Sequence, residues 1–329
     1  MPTPTTSAGH YDPLLTTMSV AFFQNPENFI ARRVFANLPV AEKSGKYFEY
    51  PKGATMRPAA NTTRPLGEKP AAVGYDIVQR DYACEERSLE SFLDDRQKAN
   101  FSSPHNGERM AVKLLVDQML MMQEIDFAAR FWGTSIWGSD ITGVTSAPSA
   151  SQAIYWNLST GVPVAEIKKH SMAIHKRTGG RKPNTLILGA DVWLALEQSA
   201  DILSRIQQTQ RGVITLDILR GVFDVERIFV ATGVYNSAAE GATDSIDWIV
   251  GPKNALLAYV APEPALEEPS AGYTMAWTGL AGTQALTNIA TVKRGRDERA
   301  STDWFQVQSA WQHKVISAEC ATFFSGIVQ

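Results

Sequence analysis

Residues 46–82 constrain this chain most, because they are many and have almost nothing to bury. Two stretches, 46–50 and 75–82, carry alternating side chains, and between them the sequence turns to Pro, Gly, Thr, Arg and Lys. The pattern predicts a long hairpin. With roughly 18 residues in each direction at about 3.3 Å per residue, it would project on the order of 60 Å. A stretch of this length without its own core is rare inside a compact domain. It is either an arm that reaches something or a lid or linker.

The remaining sequence supplies a body for that arm. At 329 residues the chain exceeds what one ordinary core holds, so it should form two lobes or one lobe with extensions. Hydrophobic residues make up 44% and charged residues 20%, as in ordinary folded proteins. Residues 1–39 carry Phe22, Phe23, Phe29, Ile30, Val34, Phe35 and Leu38, interrupted by Pro13, Pro26 and Pro39. Such an arm forms only short helical pieces and must cover its rings on its own body or on a neighbour. The longest helix is expected over 106–132, capped by Asn106 after Pro104. Met110, Leu114, Met121, Ile125, Ala128 and Trp132 repeat at helical steps and mark its apolar stripe. It would run roughly 40 Å.

A stretch rich in Gly, Ser, Thr and Pro follows, and then a mixed α/β lobe over about 162–279. A basic amphipathic helix, 164–178, points Ile167, Ser171 and Ile174 inward and ends at Gly179 and Gly180. Strand 185–188 is followed by helices capped by Asp191 and Thr215, then by strands 227–231, 246–250 and 255–260. Strong alternation returns at 303–307 and 313–324, predicting strands that run back to the long helix.

A search for chemistry finds no constellation. Thr178-Gly-Gly-Arg-Lys-Pro lacks phosphate-loop spacing and closes a helix where such a loop would open one; Gly279-Leu-Ala-Gly-Thr is only a loop. His170 and His175 are five apart on one helix and read as surface histidines, while His10, His105 and His313 stand alone. Asp94-Asp95 and Glu267-Glu268 are adjacent, polar-flanked pairs that suit solvated loops. The basic run 293–299 contains Asp297 and Glu298 and reads as a salt-bridged turn. Cys84 and Cys320 fit buried thiols. A net charge of -3 and a pI near 6.0 exclude a strong global pull toward nucleic acid or anionic lipid. The start shows no secretory pattern, and no apolar run has the length of a membrane span. The residues therefore predict no catalytic, metal or cofactor site.

In order, these parts are an apolar arm, a long hairpin, a spine helix, an α/β lobe and returning strands, and the chain resembles the HK97-fold major capsid proteins of tailed phages. The wording of the second half carries the resemblance further: PNTLILGADVW from Pro183, TLDIL from Thr215, VYNSAAEGA from Val234, GPKNALLAYVAP from Gly251 and PSAGYTMAWTG from Pro269. The resemblance implies an α+β fold divided into an N-terminal arm (1–45), an E-loop (46–82), a P-domain with the spine helix (83–161), an A-domain (162–286) and C-terminal strands returning to the P-domain (287–329). It implies a coat subunit that self-assembles into hexamers and pentamers of a shell around double-stranded DNA, located in the virion and, before assembly, in the host cytoplasm. Phe22, Phe23, Phe29 and Phe35 of the arm and Arg57, Arg64 and Lys69 of the E-loop would contact neighbouring subunits. A separate scaffolding protein, a portal and a decoration protein are expected partners, with nonspecific contact to packaged DNA and none to membrane. An encapsulin-like nanocompartment shell shares the fold and is the alternative; a soluble hydrolase with residues 46–82 as its lid is a third reading.

Overall fold

A computed structural model of the chain describes residues 24–49, 53, 56–58, 62–64, 66–67, 69, 74, 77–100, 107–206, 214–263, 268–279 and 291–329. The arm contributes α1 (Ala31–Val34) and β1 (Asn37–Val40), and the hairpin stem is β2 (Ser44–Glu49) with β3 (Val78–Ala83). Then come β4 (Glu85–Asp94), α2 (Asp95–Asn100) and the spine helix α3 (Gly107–Phe131), followed by β5 (Asp140–Val144) and β6 (Gln152–Ile154). The lobe holds α4 (Pro163–Arg177), β7 (Thr185–Gly189), α5 (Ala190–Glu197), α6 (Ala200–Ile206), α7 (Leu216–Phe223), β8 (Arg227–Ala231), β9 (Val234–Asn236), β10 (Ile246–Trp248) and β11 (Ala255–Ala258). The last strands are β12 (Gly272–Trp277), β13 (Thr291–Asp297), β14 (Thr302–Val315) and β15 (Ala321–Ser325).

Two sheets organise these elements. In the first, β14 is the axis: β4 pairs with it from Thr302↔Asp94 to Trp311↔Glu85, and β13 and then β12 take its other side, with β1 parallel to β12. The spine helix lies on this sheet and buries Leu115 and Met119 against Leu93, Phe305, Val307 and Trp311. The second sheet has six strands in the order β6-β5-β15-β11-β7-β8. On one face Leu186, Leu188, Leu257 and Phe324 meet Ile167, Ile174, Leu219 and Phe223 of the lobe helices. On the other, Ile187, Leu256 and Phe323 meet Phe127, Phe131 and Trp132 at the end of α3, together with Ile30, Val34 and Phe35 of the arm. A sheet covered on both faces needs apolar residues at consecutive positions, which is why LIL, ALLA and FF are the runs in its central strands.

Several expectations change. The stripe on α3 is the largest: Leu115, Met119, Phe127 and Phe131 are the apolar side chains buried on the helix, while Met110, Leu114 and Ile125 are exposed. Apolar residues occupy both sides of this helix, so periodicity alone did not select the inner one. The six-stranded sheet draws β5, β6 and β15 from outside 162–286, because β15 is apolar on both faces and must be sandwiched. Residues 287–329 are thus divided, with β13 and β14 on the spine-helix sheet and β15 in the lobe. The first returning strand continues through His313 to Val315, and a short turn at Ala318–Cys320 separates it from β15. His170 is buried against the Phe324 ring with centroids 5.4 Å apart, whereas His175 is exposed. Gly189, not Asp191, is the N-cap of α5, and Thr215 holds the N-cap position of α7 without a side-chain capping bond.

Other readings hold. Helix α4 ends at Gly179 and Gly180, whose φ of 71° and 109° lie in the left-handed region. The basic run becomes a salt-bridged turn: Arg296 reaches Asp95 at 2.6 Å, Asp303 at 3.1 Å and Glu298 at 3.2 Å. Lys98 extends the network to Glu108 at 3.0 Å and to Asp303. Both cysteines are free and buried. No helix among the described residues is long and apolar enough to cross a membrane.

Candidate assembly surfaces

The hairpin is joined to the body through its base. Its stem runs from Ser44↔Ala83 to Glu49↔Val78, with Arg80 Nε donating to Glu49 Oε2 at 2.8 Å. At its root the Ala83 N–H donates to Gln312 Oε1 at 2.9 Å, the Cys84 N–H to Lys43 O at 2.8 Å, and Trp277 Nε1 to Ala41 O at 3.1 Å. The Tyr82 ring lies close over the backbone of Gly45, where a Cβ would sit 2.9 Å from its hydroxyl. Burial pushes the Cys84 thiol up to about 11, which keeps it protonated and unreactive at neutral pH. Away from the root the stem turns large apolar groups outward: Phe48 is 56% exposed, and Ile77 and Val78 are exposed too. A groove of about 970 Å³ opens between stem and body, lined by Leu38, Val40, Tyr47, Phe48, Met275 and Cys320, with Arg177, Glu268 and Glu319 among its polar groups.

The arm is held by one buried carboxylate. Glu124 of α3 is fully buried, and its Oε2 accepts the Ala31 N–H at 2.8 Å, at the open end of α1. Burial pushes its pKa up to about 7, against the two backbone N–H groups of Ala31 and Ile30 that favour the anion. Phe35 then packs 4.5 Å, centroid to centroid, from Phe131 and 6.0 Å from Phe127. Upstream, the Gln24 side-chain amide pairs with the backbone of Val234, donating at 2.5 Å and accepting at 3.1 Å.

The outer surfaces of the spine-helix sheet are partly apolar as well. Phe92 of β4 is 62% exposed, beside Trp304 of β14, whose ring in turn lies over the bare backbone of Gly295 in β13. The outer edge of β13 pairs with no strand among the described residues. Among those residues no group of three or more His, Cys, Asp or Glu side chains is placed to hold a metal ion.

No protein-family model matches the chain. The major capsid protein of Burkholderia phage BcepMu is 25% identical over 277 residues, covering 80% of this chain and 82% of that protein. The crystal structure of a phage-related protein from Bordetella bronchiseptica superposes with a TM-score of 0.68 at 23% identity, covering 96% of this chain and 97% of the other. The capsid of cyanophage P-SCSP1u gives 0.56 at 10% identity over 93% and 90%. The chain has the HK97-like fold of phage capsid proteins. The same fold serves an encapsulin of Synechococcus elongatus, which matches with a TM-score of 0.55 at 12% identity over 98% of both chains.

In this fold the surfaces of interest are those that one copy leaves open, and the expected contact residues divide on this criterion. Phe29 and Phe35 are buried within their own chain, at 2% and 1% exposure, and offer almost no surface to another subunit. The arm between them lies on its own body because α3 and the lobe sheet offer an aromatic pocket that Phe35 fills. Phe22 and Phe23 lie outside the described residues. Arg57, Arg64 and Lys69 are exposed, as a contact with another molecule requires. Missed in the sequence were Phe48, Phe92 and Ile77, while Met110, Leu114 and Ile125 of α3 were named as its apolar stripe and stand exposed. Each stands in an alternating or helical pattern that was legible, but pattern does not say whether the apolar side meets the same chain or another one.

Proposed function

We propose that this chain is the coat subunit of a phage head, joining copies of itself into hexamers and pentamers of an icosahedral shell around double-stranded DNA. The observation that carries this reading is the hairpin stem, which leaves the body with Phe48, Ile77 and Val78 uncovered. A lone subunit keeps that surface and the outer edge of β13 in water, and neighbouring copies would cover both. Arg57, Arg64 and Lys69 are the residues of the arm we assign to those contacts. Closed symmetry repeats each modest contact throughout the shell, so no single one need be strong. Scaffolding, portal and decoration proteins are partners of this reading, contact with the packaged DNA is nonspecific, and the mature location is the virion. The role is structural.

Deleting residues 57–69 from the full chain tests the proposal. Circular dichroism should show a lobe that remains folded, while negative-stain microscopy shows shells absent or sharply reduced relative to the intact chain. Normal shells from the deleted chain would remove the hairpin from assembly. An intact chain that stays a discrete soluble monomer at high concentration would remove the coat function itself. The encapsulin alternative is separated by particle content: nucleic acid packaged in a host supports a head, and an enclosed enzyme supports a nanocompartment.

A further inference from the structure

The spine-helix sheet ends in two strands of opposite charge. From Thr302 to Gln308, β14 has β4 on one side and β13 on the other, and among the described residues neither pairs with a further strand on its outer side. Such an edge presents a row of unpaired N–H and C=O groups. β4 carries Glu85, Glu86, Glu90 and Asp94 with Arg87 as its one base, whereas β13 carries Lys293, Arg294 and Arg296 with Asp297 as its one acid. Arg296 is engaged within the chain by Asp95 and Asp303, and Glu86 by Lys43 at 3.6 Å. Glu90 and Lys293 form no ion pair among the described residues. Each edge also exposes an apolar side chain, Phe92 on β4 and Val292 on β13.

Both edge strands run antiparallel to β14 and so run parallel to each other. Copies repeated side by side therefore bring the β4 of one against the β13 of the next as parallel neighbours. The rows across the sheet give what meets when the repeat has no slip along the strands. Gln306 stands between Glu90 and Lys293, so Lys293 meets Glu90 of the next copy. Trp304 stands between Phe92 and Gly295, so Phe92 comes to lie beside the glycine's bare backbone; Val307 stands between Leu89 and Val292, which joins those two side chains. The backbone groups of Gln306 point to one flanking strand only, so of Glu90 and Lys293 one turns its N–H and C=O toward β14 and the other turns them outward. That is the alternation a parallel ladder requires. A two-fold contact, β13 on β13 or β4 on β4, would instead set bases against bases or acids against acids.

We propose that the acidic β4 edge of one copy joins the basic β13 edge of the next, extending the spine-helix sheet from subunit to subunit. This junction rests on the coat reading for its partner, a second copy of the chain, and names the surface by which two copies meet. The contact is heterologous, so it repeats head to tail and closes a ring where its rotation divides the circle.

Engineered thiols test the junction at concentrations where the full chain assembles. Positions 90 and 293 of one copy are two strand spacings apart, about 10 Å, too far for a disulfide, so a link between them joins two copies. Both native cysteines are buried. An equimolar mixture of E90C and K293C chains, oxidised after mixing, should give linked dimers at least about tenfold faster than either variant alone. No link in the mixture overturns the proposal, and so does K293C or E90C alone linking at the rate of the mixture, which would make the contact two-fold. Charge exchange gives a second measurement. K293E should lower the assembled fraction, read by sedimentation, at least about fivefold, and E90K added to it should restore that fraction to within about twofold of the parent. Undiminished assembly of K293E, or no recovery in the double variant, overturns the proposal. Shells that form without the link sink the junction and leave the coat function standing. A parent chain that forms no shells removes the coat function, and the thiol mixture then reads the junction on the soluble chains.

Discussion

Glu124 and His313 are two buried titratable side chains whose pH responses oppose one another. The pKa of Glu124 is pushed by burial up to about 7, from an ordinary 4.5. An acid that binds its proton more tightly when folded loses stabilisation as pH rises between those values, here up to about 3 kcal/mol. His313, held between the Phe127 and Phe131 rings with its Nδ1 3.0 Å from Thr274 Oγ1, is lowered by burial to about 4 from 6.5. It remains neutral in the fold while the unfolded chain takes up a proton, so stability falls as pH drops from about 6.5 toward 4, by a similar amount. Over pH 4.5 to 6.5 the two slopes nearly cancel. Glu124→Gln keeps an acceptor for the Ala31 N–H and removes one slope, so the variant's denaturation free energy should rise more steeply with pH across that window than the parent's. Urea titrations at several pH values would decide this, and parallel profiles for the two proteins would contradict it.

The two sides of α3 make different predictions at the scale of the element. Phe127→Ala empties a fully buried site between Phe35 and His313 and should cost about 3–5 kcal/mol. Leu114→Gln, at an exposed position, should change the stability by less than about 0.5 kcal/mol. Thermal denaturation of both variants measures the contrast, and a large loss from Leu114→Gln would place its side chain in the chain's own core. The existence of this helix was legible in the sequence, since expected 106–132 and observed Gly107–Phe131 differ by a residue at each end. Its orientation was not, because steps of three and four recur on both sides. For His170 a usable signal existed: Ile167, His170, Ser171 and Ile174 share one face of α4, and three of them had already been assigned inward. The turn at Ala318–Cys320 offered no such signal, lacking the glycine or proline that usually marks a break.

At the scale of the whole molecule, α+β class, hairpin, spine helix and lobe followed from the order of patterns, and the search for chemistry yielded no site residues to place. The destination of β15 was hidden because a strand buried on both faces looks the same wherever it inserts. Yet that strand holds the lobe sheet together: it lies parallel to β5 on one side and antiparallel to β11 on the other. Ending the chain at Ser317 should therefore do more than trim a terminus. Without β15 the sheet is two fragments, β6-β5 and β11-β7-β8, and the lobe should lose cooperative unfolding by calorimetry; a single sharp transition near the parent temperature would contradict this. The order of the strands has a bearing on timing. Every other strand of that sheet precedes β15 in the chain, so a growing polypeptide on the ribosome holds both fragments but not the piece that joins them. A nascent subunit cannot finish its lobe, and one still being translated is not yet a competent building block.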